Sequence, residues 1–448
     1  MHTLQAGFAR VDITPMLGIG LAGYYVPRFA DGVLDELQIN ALAIACGEEK
    51  AVLMSSDHCG VVKEVLNPMI DGVCAATGLP REAVYIHSTH THTGPFLNYN
   101  PTDPLEIEYA QTVTRKFADA AQLALQDLKP AKMGYGIGDA PNIAFVRRFR
   151  MKDGSVRTNP GVDNPDIVAP IGDVDERVNV LRFDQEGGKS LVLVNFGNHP
   201  DVVGGCKISA DWPGFLRQTV EKVLDNTKCI FFNGAQGDVN HVNVHPRGGY
   251  LNDMFMDFDD VARGYKHARY MGRVVAGGVL QAYDKVKYVD VDSIRCAQKF
   301  IEVPANLPAP EELPEAKHIN DLHVAGRDAE LPYTGMMLTT VVAAAARKVR
   351  LEHGPDSFRM PLSAITIGPV AMFGIPGEPF TGVGRALKEA AGYELVLPTC
   401  NTNAKEGYFP MLECYEEGGY EAGSSNFKAG VAELIIEAGL DLLNGLKA

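Results

Sequence analysis

Three histidines fall within six residues of this chain, in His87-Ser88-Thr89-His90-Thr91-His92, directly after the apolar run Ala83-Val84-Tyr85-Ile86. The run reads as a buried strand, which puts the histidines at or just past its carboxyl end. In extended backbone, residues two apart point the same way, so His90 and His92 share a face and His87 takes the opposite one. Paired imidazoles at a strand end, followed by Gly94-Pro95, are a natural start for a zinc site. A polar loop of hydrogen-bonded histidines is the alternative for the same residues.

The pattern recurs. Leu191 to Phe196 is apolar, as a strand covered on both faces would be, and it runs into Asn198, His199 and Asp201. Phe231-Phe232-Asn233 leads to Gly234, Gln236, Asp238 and Asn240. Val370 to Phe373 leads to Pro376-Gly377-Glu378. Ligand sites of α/β sheets gather beyond the carboxyl ends of strands, so the repetition says more than any one motif. For each carboxylate a helix-capping role competes: Glu378 could sit in the first turn of a helix over Phe380–Ala391. Arg147 and Arg148 could fork onto a substrate carboxylate or hydroxyls, or belong to a solvated basic hairpin. The segment His241 to Tyr265 mixes aromatic, Met and acidic residues and reads as a lid or specificity loop; His241 and His245 within it could hold a second metal or be ordinary loop histidines.

These residues need a framework. Strands are expected over Leu37–Cys46, Ala51–Ser56, Lys132–Gly138, Ser190–Gly197 and Cys229–Asn233, and around Val289–Phe300 and Arg359–Phe373. Helices are expected over Lys63–Thr77, Pro104–Leu128, Pro213–Leu224, Ala262–Tyr283, Tyr333–Leu351, Phe380–Ala391 and Phe427–Leu446. The alternation predicts an α/β class with mixed, buried β-sheets flanked by helices. Pro304 to Pro314 reads as a loop inside one domain spanning 1–448, and Ile143 to Val174 as a functional loop or hairpin near the site.

Composition narrows the function. Of the 448 residues, 46% are hydrophobic and 22% charged, ordinary for a globular protein, and 56 acidic against 41 basic side chains leave a net charge of −15. That balance argues against nucleic acid or an anionic membrane as the main partner. No run approaches the ~18 to 20 apolar residues that span a bilayer, and Met1 to Gly7 lacks a basic start and apolar core, so the expectation is a cytoplasmic protein without stable membrane insertion, acting on a small molecule. A homo-oligomer stays open. The eight scattered cysteines read as buried free thiols.

Taken together, the motifs resemble those of the neutral/alkaline (non-lysosomal) ceramidase family, in its N-terminal catalytic domain. The stretches that carry the resemblance are Gly7-Phe8-Ala9-Arg10-Val11-Asp12-Ile13-Thr14-Pro15, His90-Thr91-His92-Thr93-Gly94-Pro95, Gly237-Asp238-Val239, Pro376-Gly377-Glu378 and Tyr420-Glu421-Ala422-Gly423-Ser424, in the family's order. The resemblance implies a ceramidase-like fold and a Zn2+ ion held by His90, His199, Glu378 and a downstream tyrosine. Tyr408, in Gly407-Tyr408-Phe409-Pro410, takes that place because it precedes Tyr415-Glu416-Glu417 and Tyr420-Glu421-Ala422 as the family tyrosine precedes its counterparts.

Two departures from the family stand out. Its Gly-Asp-Val motif continues into Ser-Pro-Asn, and that serine is assigned to catalysis; here Asn240-His241-Val242-Asn243 follows, with no hydroxyl. Asn240 could still donate to an oxyanion. The chain also ends soon after the last motif, where the family adds an immunoglobulin-like domain, which shifts the expectation from ceramide toward soluble substrates. The expected reaction is hydrolysis of an amide (N-acyl) bond by zinc-activated water. His92 would serve as proton shuttle or oxyanion donor, or support the metal site. Asp238 and Asp201 would orient the histidines or cap turns. A zinc hydrolase of esters or lactones in small sugar-like molecules, and a non-catalytic metal-containing binding protein, are the alternatives.

Overall fold

A computed structural model describes residues 3–97, 102–245 and 264–447. Most of the expected lid, 246–263, lies outside the described residues. The fold is α/β, built from mixed sheets flanked by helices. The main sheet has nine strands. Eight run in the order Thr227–Asn233, Ser190–Phe196, Arg177–Gln185, Lys129–Asp139, Gln5–Asp12, Gln38–Cys46, Glu49–Ser56 and Val84–Ser88, and Lys287–Val289 pairs with Lys129–Asp139. The pairings at both ends of this order are parallel and those between are antiparallel. The sheet curls until its two ends meet: the Asn233 N–H donates to His87 Nε2 at 3.0 Å, and the Ser55 hydroxyl donates to the Phe231 carbonyl. Closure brings the ends of Val84–Ser88, Ser190–Phe196 and Thr227–Asn233 to one place.

A second sheet of four strands, ordered Ile294–Pro304, Ser357–Ile367, Val370–Gly374 and Leu395–Thr399, packs face to face with the first. Leu181, Leu193, Ile230 and Phe232 meet Ile365, Met372 and Leu397 between them. Burial on both faces explains the continuous apolar runs. Helices cover the outer faces: Lys63–Thr77 and Pro104–Gln126 over one part of the main sheet, Asp211–Val223 and Tyr265–Tyr283 over another, Thr381–Ala390 and Val431–Gly445 over the second sheet.

Several expectations change. Pro304 ends a strand, and Pro314 falls in the first turn of a helix over Leu313–Val324, where a missing N–H costs nothing. That helix pairs with Gly335–Arg350 around Ile319, Leu322 and Val342. The strands Arg177–Gln185 and Leu395–Thr399 had no counterpart in the pattern. Ile143 to Val174 contains a small three-stranded sheet, Ile167–Ile171, Arg148–Met151 and Val156–Thr158. All eight cysteines are free, but Cys74, Cys206 and Cys296 are only half-buried.

Candidate functional site

Each candidate side chain stands just past a strand. The Val84–Ser88 strand stops before His90, whose φ is +78°. This left-handed conformation is costly for a residue with a Cβ, by roughly 1–2 kcal/mol, and the His90 N–H bonded to the His58 carbonyl at 2.8 Å helps hold it. The chain is therefore not extended through His90-Thr91-His92, yet the two rings meet, Nε2 to Nε2 at 3.2 Å. His87 faces elsewhere and joins the two ends of the sheet. Gly23 makes room for His92: its φ is +102°, and a Cβ there would lie 2.5 Å from the imidazole.

His199 follows Ser190–Phe196 and is braced from behind. Trp212 Nε1 donates to its carbonyl at 3.2 Å, and Asp211 Oδ2 accepts the N–H groups of Val202 and Val203. Glu378 and Tyr408 are set side by side by a two-residue parallel ladder, Glu378–Pro379 with Tyr408–Phe409.

The geometry converges on Glu378 Oε2. His90 Nε2 lies 3.3 Å from it and His199 Nε2 3.1 Å. The Tyr408 hydroxyl is 3.5 Å from His199 Nε2. His199 Nδ1 faces the carbonyls of Gln236 and Val239, both at 2.9 Å, and His90 Nδ1 faces the Cys59 carbonyl. A carbonyl only accepts, so each Nδ1 carries the hydrogen and each Nε2 turns a lone pair inward. Two lone pairs and a carboxylate oxygen thus face one another in a buried space, an arrangement that calls for a cation at its centre. In the metal-free chain a proton meets the demand. Burial lowers the His90 pKa, but the Glu378 charge outweighs it and holds the imidazole well above its ordinary value. Burial raises the Glu378 pKa, and His90 and His199 reverse this, holding it well below the carboxylate range. His90, His199 and Glu378 can together hold a metal ion, as can Cys59 with His90 and His92. A His/carboxylate donor set suits zinc. Cys59 had no place in the sequence argument; its signal is that it, too, closely follows a strand, Glu49–Ser56.

The remaining candidates sort by contact. Arg147 is buried beside the cluster, with NH1 3.5 Å from His199 Nε2. The fork expected for substrate is occupied: Nε donates to Glu421 and NH2 to the Gly237 carbonyl, both at 2.7 Å. Its guanidinium lies 5.2 Å from the Tyr408 ring centre. Burial, then Glu378, push the Tyr408 hydroxyl pKa well up, and Arg147 opposes them. Asp238 caps the helix Thr381–Ala390, accepting the Thr381 N–H at 2.7 Å and its hydroxyl at 2.8 Å. Asn240 Oδ1 accepts the Val242 N–H in a local turn. Asp201 pairs with His241, and His245 with the exposed Asp163, so the two loop histidines do not share a site. Beside Glu421, whose carboxylate also accepts from Thr158, lies a cavity of about 410 Å3 lined by Thr158, Asn159, Tyr333 and Gly419.

No family model and no curated protein matches this chain. Among solved structures it is similar to the neutral ceramidase from Pseudomonas aeruginosa, with TM-score 0.74 and 18% identity over 100% of this chain and 75% of that one. It is also similar to a ceramidase complexed with C2, with TM-score 0.73 and 18% identity over 100% of this chain and 76% of the other. At such identity the likeness is one of fold. The chain has a neutral-ceramidase-like fold.

Proposed function

We propose that the protein is a zinc-dependent hydrolase that cleaves an amide (N-acyl) bond. The observation that carries this is the inward convergence of His90 Nε2, His199 Nε2 and Glu378 Oε2, with both Nδ1 atoms committed to backbone carbonyls. The likeness of the fold to ceramidase structures supports the reaction class.

His90, His199 and Glu378 would hold the ion, with the Tyr408 hydroxyl placed to complete the set. Zinc supplies a Lewis acid and lowers the pKa of water toward ~7. The protein's own part is to position and to move protons. Carbonyls at 236, 239 and 59 fix the tautomers of the two ligand histidines, and Arg147 holds Tyr408 in place. His92 stands at the edge of the cluster with Nδ1 buried and without a partner among the described residues. Burial, then His90, hold its pKa well below the ordinary value. A neutral imidazole there can accept a proton from an attacking water or orient a carbonyl oxygen. The cavity beside Glu421 has the size of a small-molecule site.

The test is metal analysis followed by a hydrolysis screen of N-acyl lipids, N-acyl sugars, esters and lactones against zinc-loaded protein. Turnover of an amide that chelation abolishes and zinc restores is the expected result. Turnover of esters or lactones alone would replace the amide reading, and zinc bound without turnover would make this a binding protein.

A further inference from the structure

His241 follows Asn240, the residue that stands where the ceramidase family has its serine. The segments 199–201 and 239–241 lie side by side. At one end His199 Nδ1 faces the Val239 carbonyl at 2.9 Å; two residues on, His241 Nδ1 faces Asp201 Oδ1 at 3.1 Å. Two residues of chain span at most about 7 Å, so the Asp201–His241 pair adjoins the imidazole cluster. A carboxylate accepts, so Nδ1 of His241 carries a hydrogen and the ring is held in one orientation. Its Nε2 is fully buried and has no partner among the described residues. A buried imidazole nitrogen without a partner is costly for a merely structural residue. Among the described residues the other titratable ring facing it is His267, on the helix Tyr265–Tyr283, with ring centres 6.1 Å apart. Burial pushes His267 down to about 3, so it stays neutral.

We propose that His241, oriented by Asp201, is a catalytic acid–base residue that hands a proton to the leaving nitrogen. The inference rests on the amide-hydrolase reading. A water oxygen forms the new bond to the carbonyl carbon. The C–N bond breaks with its electron pair going to nitrogen, which takes the proton from His241 Nε2. The proton released by the water restores protonated His241, so the products are one carboxylic acid and one amine. Asp201 acts as a positioning residue. The Asn240 side chain cannot donate and regain a proton, and its neighbour supplies that capacity.

A leaving group that needs no proton separates this role from a structural one. The probes are the amide with the highest turnover in the screen and the 4-nitrophenyl ester of the same acyl group. His241→Ala is expected to lower kcat/KM for the amide by about 10²- to 10⁴-fold, with a loss on the ester at least tenfold smaller. Asp201→Asn should show the same split in weaker form. Zinc content and melting temperature, with His241→Gln as a second variant, establish that folding and metal binding persist. Equal losses on both substrates, or none on either, would overturn the proposal while leaving the hydrolase reading standing. Zinc-loaded wild type inactive on every amide would overturn that reading and this inference with it.

Discussion

Two buried charged clusters lie close together in this protein, and they are built on opposite terms. Asp57 and Arg217 form a closed pair. Both carboxylate oxygens meet the guanidinium, at 3.0 and 2.6 Å, and the remaining lone pairs accept from the Gln38 N–H and the Thr89 hydroxyl. In the His90–His199–Glu378 cluster two imidazole nitrogens and a carboxylate oxygen converge, while Nδ1 of His92 and Nε2 of His241 lack partners among the described residues. The first cluster uses up its carboxylate's bonding capacity within the protein and leaves only Arg217 Nε without a partner among the described residues. The second keeps capacity in reserve, which is what the proposed metal and substrate site requires.

The sharpest way to break this contrast is to remove a donor from the open cluster. Glu378→Gln should lower kcat/KM by about 10³-fold or more and weaken zinc retention, since several kcal/mol of metal-dependent stabilisation are lost. Steady-state kinetics and metal content check it, and a fully active, zinc-loaded variant would undo the contrast. In the closed cluster the loss should appear as stability. Asp57→Ala strands the Arg217 charge and should cost about 3–5 kcal/mol in urea unfolding, with activity per folded molecule changing less than tenfold.

Arg147 stands between the two cases, with its fork satisfied and one nitrogen turned to His199. Arg147→Lys cannot bridge Glu421 and Gly237 together, and should cost about 10- to 100-fold in kcat/KM, as loss of a group supporting metal ligands does. The last effect is confined to acid pH and concerns His58, buried and hydrogen-bonded to Ser56 and Tyr109. Burial lowers its pKa to about 3, against ~6.5 unfolded. The neutral form is native, so its contribution is complete above pH 6.5 and declines toward pH 3, by about 1.4 kcal/mol per pH unit. His58→Gln should remove that slope from the pH dependence of urea unfolding.

Strand ends were legible in the sequence because both faces of each strand are covered, which leaves uninterrupted apolar runs that stop at polar turns. His90, His199 and Glu378 stand out on that ground, whereas Tyr408 came only with the resemblance to ceramidases. The helix Leu313–Val324 stayed hidden behind its own proline-rich start. The strand Arg177–Gln185 stayed hidden because Arg177, Asn179, Arg182 and Asp184 break up its apolar run.

Residue type and local pattern determined the α/β class and which side chains emerge at the ends of strands, since burial and backbone periodicity act over a few neighbours. Partnership was decided only in the tertiary structure. Closure of the main sheet brings residues 90 and 199 together, and the second sheet packed against it adds Glu378; His90 leaves extended backbone, Arg147 goes to Glu421, and His241 pairs with Asp201 while His245 pairs with Asp163. A hydrogen bond depends on angles and distances of a few ångströms, and those are fixed only when segments far apart in the chain are packed together.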